Sequence, residues 1–402
     1  MTAGPAAVAA PDAAAFRRRF PALESRVHLA SCSLGARSLD LDAAMDRMLD
    51  DMARGSAPWG LFEEQVARAR QGFADLIGAR VEQVAVVPNA SVGAYQVAST
   101  LEWAPRSRIV TTALEFPSIA HVWLAQRPRG AEVVHAPGAE DYARLVDERT
   151  RLVSVPLTGY QDAARLPVTE VARLAHDAGA QVFVDAYQAV GTEPVDVTAL
   201  DCDYLVAGTM KYLLGLPGLA FLYARRPAPT DRLPRLTGWF GRVDPFAFDP
   251  TTLDFPAGAG RFETGTPAIP AAYAGVAGLG LVGGLDLAVV RAHILDLTDL
   301  AVDRLTAQGE RVRALPRERR GAHVGLLDAD PGGLAHRLAE RGIAVSARGE
   351  VARLSFHYYS SASDVAALCA ALDDLRRGRR PGPPAAVPSH HPTGLPAGSP
   401  KG

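Results

Sequence analysis

Lysine is nearly missing. The chain has 402 residues and 42 basic side chains, yet only Lys211 and Lys401 are lysines, and the second lies in a Pro-rich end. Arginine therefore supplies almost every surface cation. An arginine does not lose its proton in a protein, whereas a desolvated lysine does and then serves as a nucleophile or forms a Schiff base. Lys211 is thus marked as an interior position that needs what arginine lacks. The alternative is the chance survival of one codon.

Other shortages exclude whole classes. The 42 Lys and Arg are balanced by 44 Asp and Glu, for a net charge of -2, so there is no basic footprint for nucleic acid. No uninterrupted apolar run reaches membrane-spanning length, and the Ala-rich start lacks the basic residues of a signal peptide. The three cysteines, Cys32, Cys202 and Cys369, are odd in number and far apart. That pattern implies neither a disulfide framework nor a metal site, and a cytoplasmic location is expected. The apolar share of 48% is that of a globular chain with a sizeable core.

What is present is alternation. Short apolar runs at 84–87, 109–112, 132–135, 152–155, 181–184, 204–206 and 219–223 read as strands buried on both faces. Helical stretches separate them. The clearest, 167–178, has Pro167 at its start and Gly179 just past its end. Such alternation predicts an α/β domain with a largely parallel sheet over residues 46–284. A smaller C-terminal α/β unit follows at 285–378, with helices at 285–308, 332–341 and 363–377, the last capped by Ser363 or Asp364. Residues 1–45 form an N-terminal arm, and 379–402 a disordered Pro/Gly-rich tail with His390 and His391. Gly278-Leu-Gly280-Leu-Val-Gly283 matches G-x-G-x-x-G but follows a helical run rather than a strand, which points to close helix packing and not to a nucleotide.

In Val182-Phe-Val-Asp185-Ala-Tyr-Gln188 an acid ends an apolar strand, and Lys211 follows the end of another. Ligands of parallel α/β sheets bind beyond the C-terminal strand ends. A pyridoxal phosphate enzyme needs this pair: the lysine carries the cofactor, and the carboxylate keeps the ring nitrogen protonated. Spacing alone also allows a helix-capping Asp and a surface Lys. Pro88-Asn89-Ala90-Ser91 joins a strand to a helix, and such a helix start binds anions, although Asn89 or Ser91 could simply be its cap.

These residues resemble the class V aminotransferase-type, fold type I pyridoxal phosphate enzymes, the group of kynureninases, cysteine desulfurases and selenocysteine lyases. The resemblance rests on Val-Asp185-Ala-Tyr-Gln188-Ala-Val-Gly, Gly-Thr209-Met-Lys211-Tyr-Leu, Leu236-Thr-Gly-Trp239-Phe-Gly-Arg242 and Arg261-Phe-Glu-Thr-Gly265-Thr266-Pro267. It implies the fold type I transferase fold: a large domain with a mostly parallel seven-stranded sheet and a smaller C-terminal α/β domain. It implies pyridoxal 5'-phosphate as cofactor, an amino-acid substrate and a homodimer with shared active sites. Residue by residue, Lys211 becomes the Schiff-base lysine and proton shuttle, Asp185 the partner of the ring nitrogen, and Gln188 that of the ring's 3-oxygen. Phe116 becomes the stacking aromatic, with a plain core Phe as the alternative. Ala90 and Ser91 contact the phosphate, with Thr209 and Trp239 as further contacts. Thr266 reaches the phosphate from the other subunit, and Arg353 holds the substrate carboxylate unless it is a surface charge on a strand.

Departures narrow the reaction. The loop Ser346-Ala-Arg-Gly-Glu-Val-Ala352 lacks the nucleophilic cysteine of the desulfurases. Where kynureninases carry Gly-Asn-Ser-Leu-Gly, this chain has Ser31-Cys32-Ser33-Leu34-Gly35; where they have Tyr before the lysine, it has Met210; where they have His after Gly-Trp-x-Gly, it has Arg242. Arg242 is expected to contact an acidic or polar substrate side chain. A lyase-type reaction is favoured, with an aminotransferase as the alternative. A non-catalytic binding protein would be expected to lose Lys211 or Asp185, and both are present.

Overall fold

The computed structural model describes residues 12–54, 58–226 and 233–378. The tail with His390 and His391 lies outside them. All seven apolar runs become strands of one sheet: β1 (Val84–Val87), β2 (Arg108–Thr112), β3 (Glu132–Ala136), β4 (Thr150–Pro156), β5 (Gln181–Asp185), β6 (Tyr204–Gly208) and β7 (Ala220–Ala224). Their order is β1-β7-β6-β5-β4-β2-β3. Only β7 runs antiparallel to its neighbours; the other six strands share one direction. Helices cover the faces, which is why the strands read as continuous apolar runs. The helix Val168–Asp177 begins after Pro167 and ends before Gly179, whose φ of 72° only glycine adopts cheaply.

The parallel strands end together, so Pro156 of β4, Asp185 of β5 and Val206 of β6 lie in register at one rim. Behind this rim runs the helix Ile269–Gly283. A Cβ at Gly278 would collide with the Leu213 carbonyl and stand 2.9 Å from the Leu214 carbonyl carbon. The G-x-G-x-x-G segment therefore packs bare helix backbone against the loop that carries Lys211.

A second, antiparallel sheet orders Ser346–Arg348, Val351–Ser355, His323–Leu327 and Val312–Arg313. The helices Leu287–Ala307, Pro331–Ala339 and Ala362–Arg376 accompany it. The last is capped by Ser361 and not by Ser363 or Asp364: Asp364 instead sits at the third helical position and accepts the Ser361 N–H at 2.8 Å. The described part of the N-terminal arm is fastened to the elements around this second sheet. Strand Val27–His28 pairs in parallel with Ile343–Ala344, and Arg17 grips Asp364 with bonds of 2.7 and 3.0 Å. Phe16 and Phe20 pack against Tyr359. This path delivers Ser31–Gly35 to the sheet rim, where the Gly35 N–H donates to the Met210 carbonyl at 2.8 Å.

Candidate active site

Asp185 ends β5 and is buried, with Oδ1 accepting the Tyr187 N–H at 2.8 Å. Three residues on, Gln188 Nε2 donates to the Cys32 carbonyl at 3.1 Å, while its Oε1 is buried without a partner. Lys211 follows the end of β6 and is also buried. Its Nζ lies 4.3 Å from the Tyr187 ring centroid and 5.4 Å from that of Phe116. Burial pulls the amine down to about 8; Asp185 opposes this, while Arg353 and Arg348 reinforce it.

One cavity joins these groups. It is lined by Asn89, Ala90, Ser91, Phe116, Asp185, Gln188, Lys211 and Arg353 among others. Asn89 follows β1 and caps the helix Ala90–Ser99, accepting the Val92 N–H at 3.0 Å. Ala90 and Ser91 then stand in the first turn, where backbone N–H groups have no intrahelical acceptor. Phe116 opens the helix Pro117–Leu124 and meets the Tyr160 ring edge-on at 5.1 Å. Arg353 is 1% exposed; it donates to the Tyr160 carbonyl at 2.6 Å and to Ser346 Oγ at 2.8 Å. Among the described residues no carboxylate pairs with it, so a buried guanidinium faces the cavity awaiting an anion.

Three of the residues given site roles do not line this chain's cavity. Arg242 does not line the cavity; it donates to Asp254 through two bonds of 3.1 and 3.2 Å, with the Asp249 carbonyl accepting a third. Trp239 stands in an aromatic cluster with Trp59, Phe240, Phe246 and Phe248. Thr266 is exposed and does not line its own chain's cavity. A fourth, Thr209, is adjacent but committed: its hydroxyl donates to the Leu216 carbonyl at 2.8 Å and its N–H to that of Leu219 at 3.1 Å, closing the lysine loop.

Other residues were missed by the sequence reading. Cys32 and Arg348 both line the cavity. Cys32 occupied a motif position that had already been aligned, and only its sequence distance from Lys211 hid it. Glu115 is buried behind Asp185 and shares a hydrogen bond with it. Its oxygens also accept from the Phe116 N–H at 2.9 Å and Ser154 Oγ at 3.0 Å. Burial, then the neighbouring Asp185 charge, drives the Glu115 carboxyl well above the usual range. An acid just past the end of β2 was the available signal, the same one that marked Asp185.

The family profile described as Aminotransferase class-V matches residues 54–368. The chain belongs to that family. It is 32% identical to the uncharacterized aminotransferase YcbU of Bacillus subtilis over 87% of this chain and 94% of that one. It is 28% identical to the kynureninase of Pseudomonas fluorescens, over 82% and 84% respectively. In three dimensions it resembles the cysteine desulfurase of Thermococcus onnurineus with a TM-score of 0.82 at 22% identity, over 90% of this chain and 98% of the other.

Class-V aminotransferases are pyridoxal 5'-phosphate enzymes, and the cavity fits that cofactor. A buried amine of lowered basicity, a buried carboxylate, an orphaned Gln188 amide oxygen and an anion-ready helix start surround one space. Asp185 suits the ring nitrogen, Gln188 the ring oxygen, Phe116 the ring face, and Ala90 and Ser91 the phosphate.

Proposed function

We propose that this chain is a pyridoxal phosphate-dependent lyase that acts on the side chain of an amino acid. The observation that carries the reading is the convergence of Lys211, Asp185 and the counterion-free Arg353 on one cavity. When bound, the cofactor supplies an electron sink conjugated to the substrate's α-carbon. Arg353 grips the α-carboxylate with parallel hydrogen bonds and fixes the orientation of the α-C–H bond. Lys211, with an amine near neutrality, takes the α-proton and returns it. Asp185 holds a proton on the ring nitrogen, and Glu115 orients the Asp185 carboxylate from behind. Phe116 and Tyr160 shield the reacting face from water.

Similarity to a kynureninase and a cysteine desulfurase supports cleavage at the β-carbon. The relative named as an aminotransferase supports amino transfer as the second reading. Borohydride should fix the cofactor covalently on Lys211, and Lys211→Ala should be colourless and inactive; a fully active Lys211→Ala protein would refute the assignment. Incubation with an amino-acid panel separates the two reactions. Alanine or pyruvate formed without an added acceptor supports the lyase, and a strict need for a 2-oxoacid supports transfer.

A homodimer completes this reading. Phe248, which stacks on Trp239, is 71% exposed, and Val243 and Leu253 of the same segment are 62% and 61% exposed, apolar surface of the kind that partners cover. Thr266 lies a short way along the same segment, free to face a second copy's cavity. Light scattering of the holoenzyme should give twice the chain mass. The three unpaired cysteines, all buried, fit a reducing cytoplasm.

A further inference from the structure

We propose that Arg348 and Arg353 form a two-cation subsite, so that the preferred substrate is an amino acid whose side chain ends in a second anion. This rests on the enzymatic reading above and names the substrate class of the same cavity.

The two arginines project from one face of a tight hairpin. Strands Ser346–Arg348 and Val351–Ser355 pair antiparallel, with Ser346 opposite Arg353 and Arg348 opposite Val351. Directly opposed residues, and residues two apart on a strand, share a face. Arg348, Ser346 and Arg353 therefore point the same way, and the 2.8 Å bond from Arg353 to Ser346 Oγ follows from that arrangement. Arg348 and Arg353 are diagonal neighbours, a relation that sets Cα atoms roughly 7–8 Å apart. The connecting turn is only Gly349-Glu350, with Gly349 at φ 53°, so the base of the Arg348 side chain is fixed.

Pairing the charged groups of the cavity by position leaves Arg348 over. The charged lining residues are Asp185, Lys211, Arg348 and Arg353. Asp185 and Lys211 serve the cofactor, whose phosphate belongs at the Ala90–Ser91 helix start. The substrate's α-carboxylate satisfies Arg353. Arg348 then has no anion. Among the described residues its guanidinium bonds only the Ala347 carbonyl, at 2.7 Å, and the nearby Glu350 is already paired with Arg313. Arg242, the residue first expected to read an acidic side chain, is held by Asp254 outside the cavity. A carboxylate or sulfinate at the far end of the substrate is the chemistry that matches Arg348.

The test uses the holoenzyme with amine-free carboxylates and with one pair of amino acids. Dissociation constants of succinate and glutarate are measured against those of butyrate and valerate by thermal shift. L-aspartate against L-asparagine is followed by the absorbance change on binding. At one chain length the doubly charged probe should bind roughly tenfold more tightly, the size of one charge-assisted contact. Arg348→Met should bring that ratio close to one, and Arg348→Lys should keep part of it. A ratio near one in the wild type at both lengths, or a ratio that survives Arg348→Met, overturns the subsite while leaving the enzymatic reading intact. Failure of borohydride to attach the cofactor to Lys211 overturns both.

Discussion

Two buried polar regions of this molecule follow opposite rules. Around Tyr359 most polar groups answer one another. The Tyr359 hydroxyl meets Ser31 Oγ at 2.6 Å, and Arg17 joins Asp364 to the Tyr359 and Leu23 carbonyls. Both His357 nitrogens are bonded, one to the Tyr212 carbonyl at 3.0 Å and one to the Tyr358 N–H at 2.8 Å. Around Lys211 two groups are left open: a guanidinium without a carboxylate among the described residues and an amide oxygen without a donor. A closed network holds a fold together. An open one stores desolvation cost that a ligand relieves.

Substitutions should separate the two regions. The largest effect is expected at Asp185→Asn, which removes the charge that keeps the ring nitrogen protonated. The variant should lose on the order of 10²–10³ in kcat/KM with its melting temperature almost unchanged; a large loss of stability instead would make Asp185 part of the closed class.

Next comes Lys211→Met in the cofactor-free protein. Lys211 sits at about 8 in the folded chain against 10.5 when exposed. Between those values the unfolded chain binds more protons, so stability rises with pH, and below 8 the whole burial cost stands. At pH 7 the variant should be more stable by about 3 kcal/mol, a gain that fades toward pH 10.5. Urea unfolding across that range measures it, and a pH-independent difference would contradict it.

Arg17→Ala should act in the opposite sense. It strands buried Asp364, and after allowance for the partial exposure of Arg17 the cost is about 2 kcal/mol. The absorbance of bound cofactor should not move. The smallest change is expected for Glu115→Gln. A glutamine mimics the protonated acid, so stability at pH 7 should shift by less than about 1 kcal/mol. Marked stabilisation would mean that Glu115 is ionised.

The central sheet was readable because strands buried on both faces write themselves as unbroken apolar runs, punctuated by residues such as Pro167 and Gly179. Asp185 and Lys211 were readable because they stand at or just past the ends of two such runs. What escaped depends on contacts between distant segments. Two-residue strands such as Val27–His28 carry no periodicity, and nothing near Arg17 announces Asp364. Arg242 beside its Gly-Trp motif suggested a ligand contact, but Asp254 twelve residues on decides its orientation, and a pairing of that kind leaves no local mark. Ser361 displaced the expected cap by two residues because Asp364 reaches back to it.

The Cys32 N–H rests on the Ser355 hydroxyl at 2.9 Å, and Ser355 also pairs with the Ala30 segment. The wall at Cys32 is thus propped by a residue 323 positions further along the chain. Both segments must exist before this cavity can close, so a nascent chain stopped short of Arg353 carries its lysine without a complete pocket to hold it.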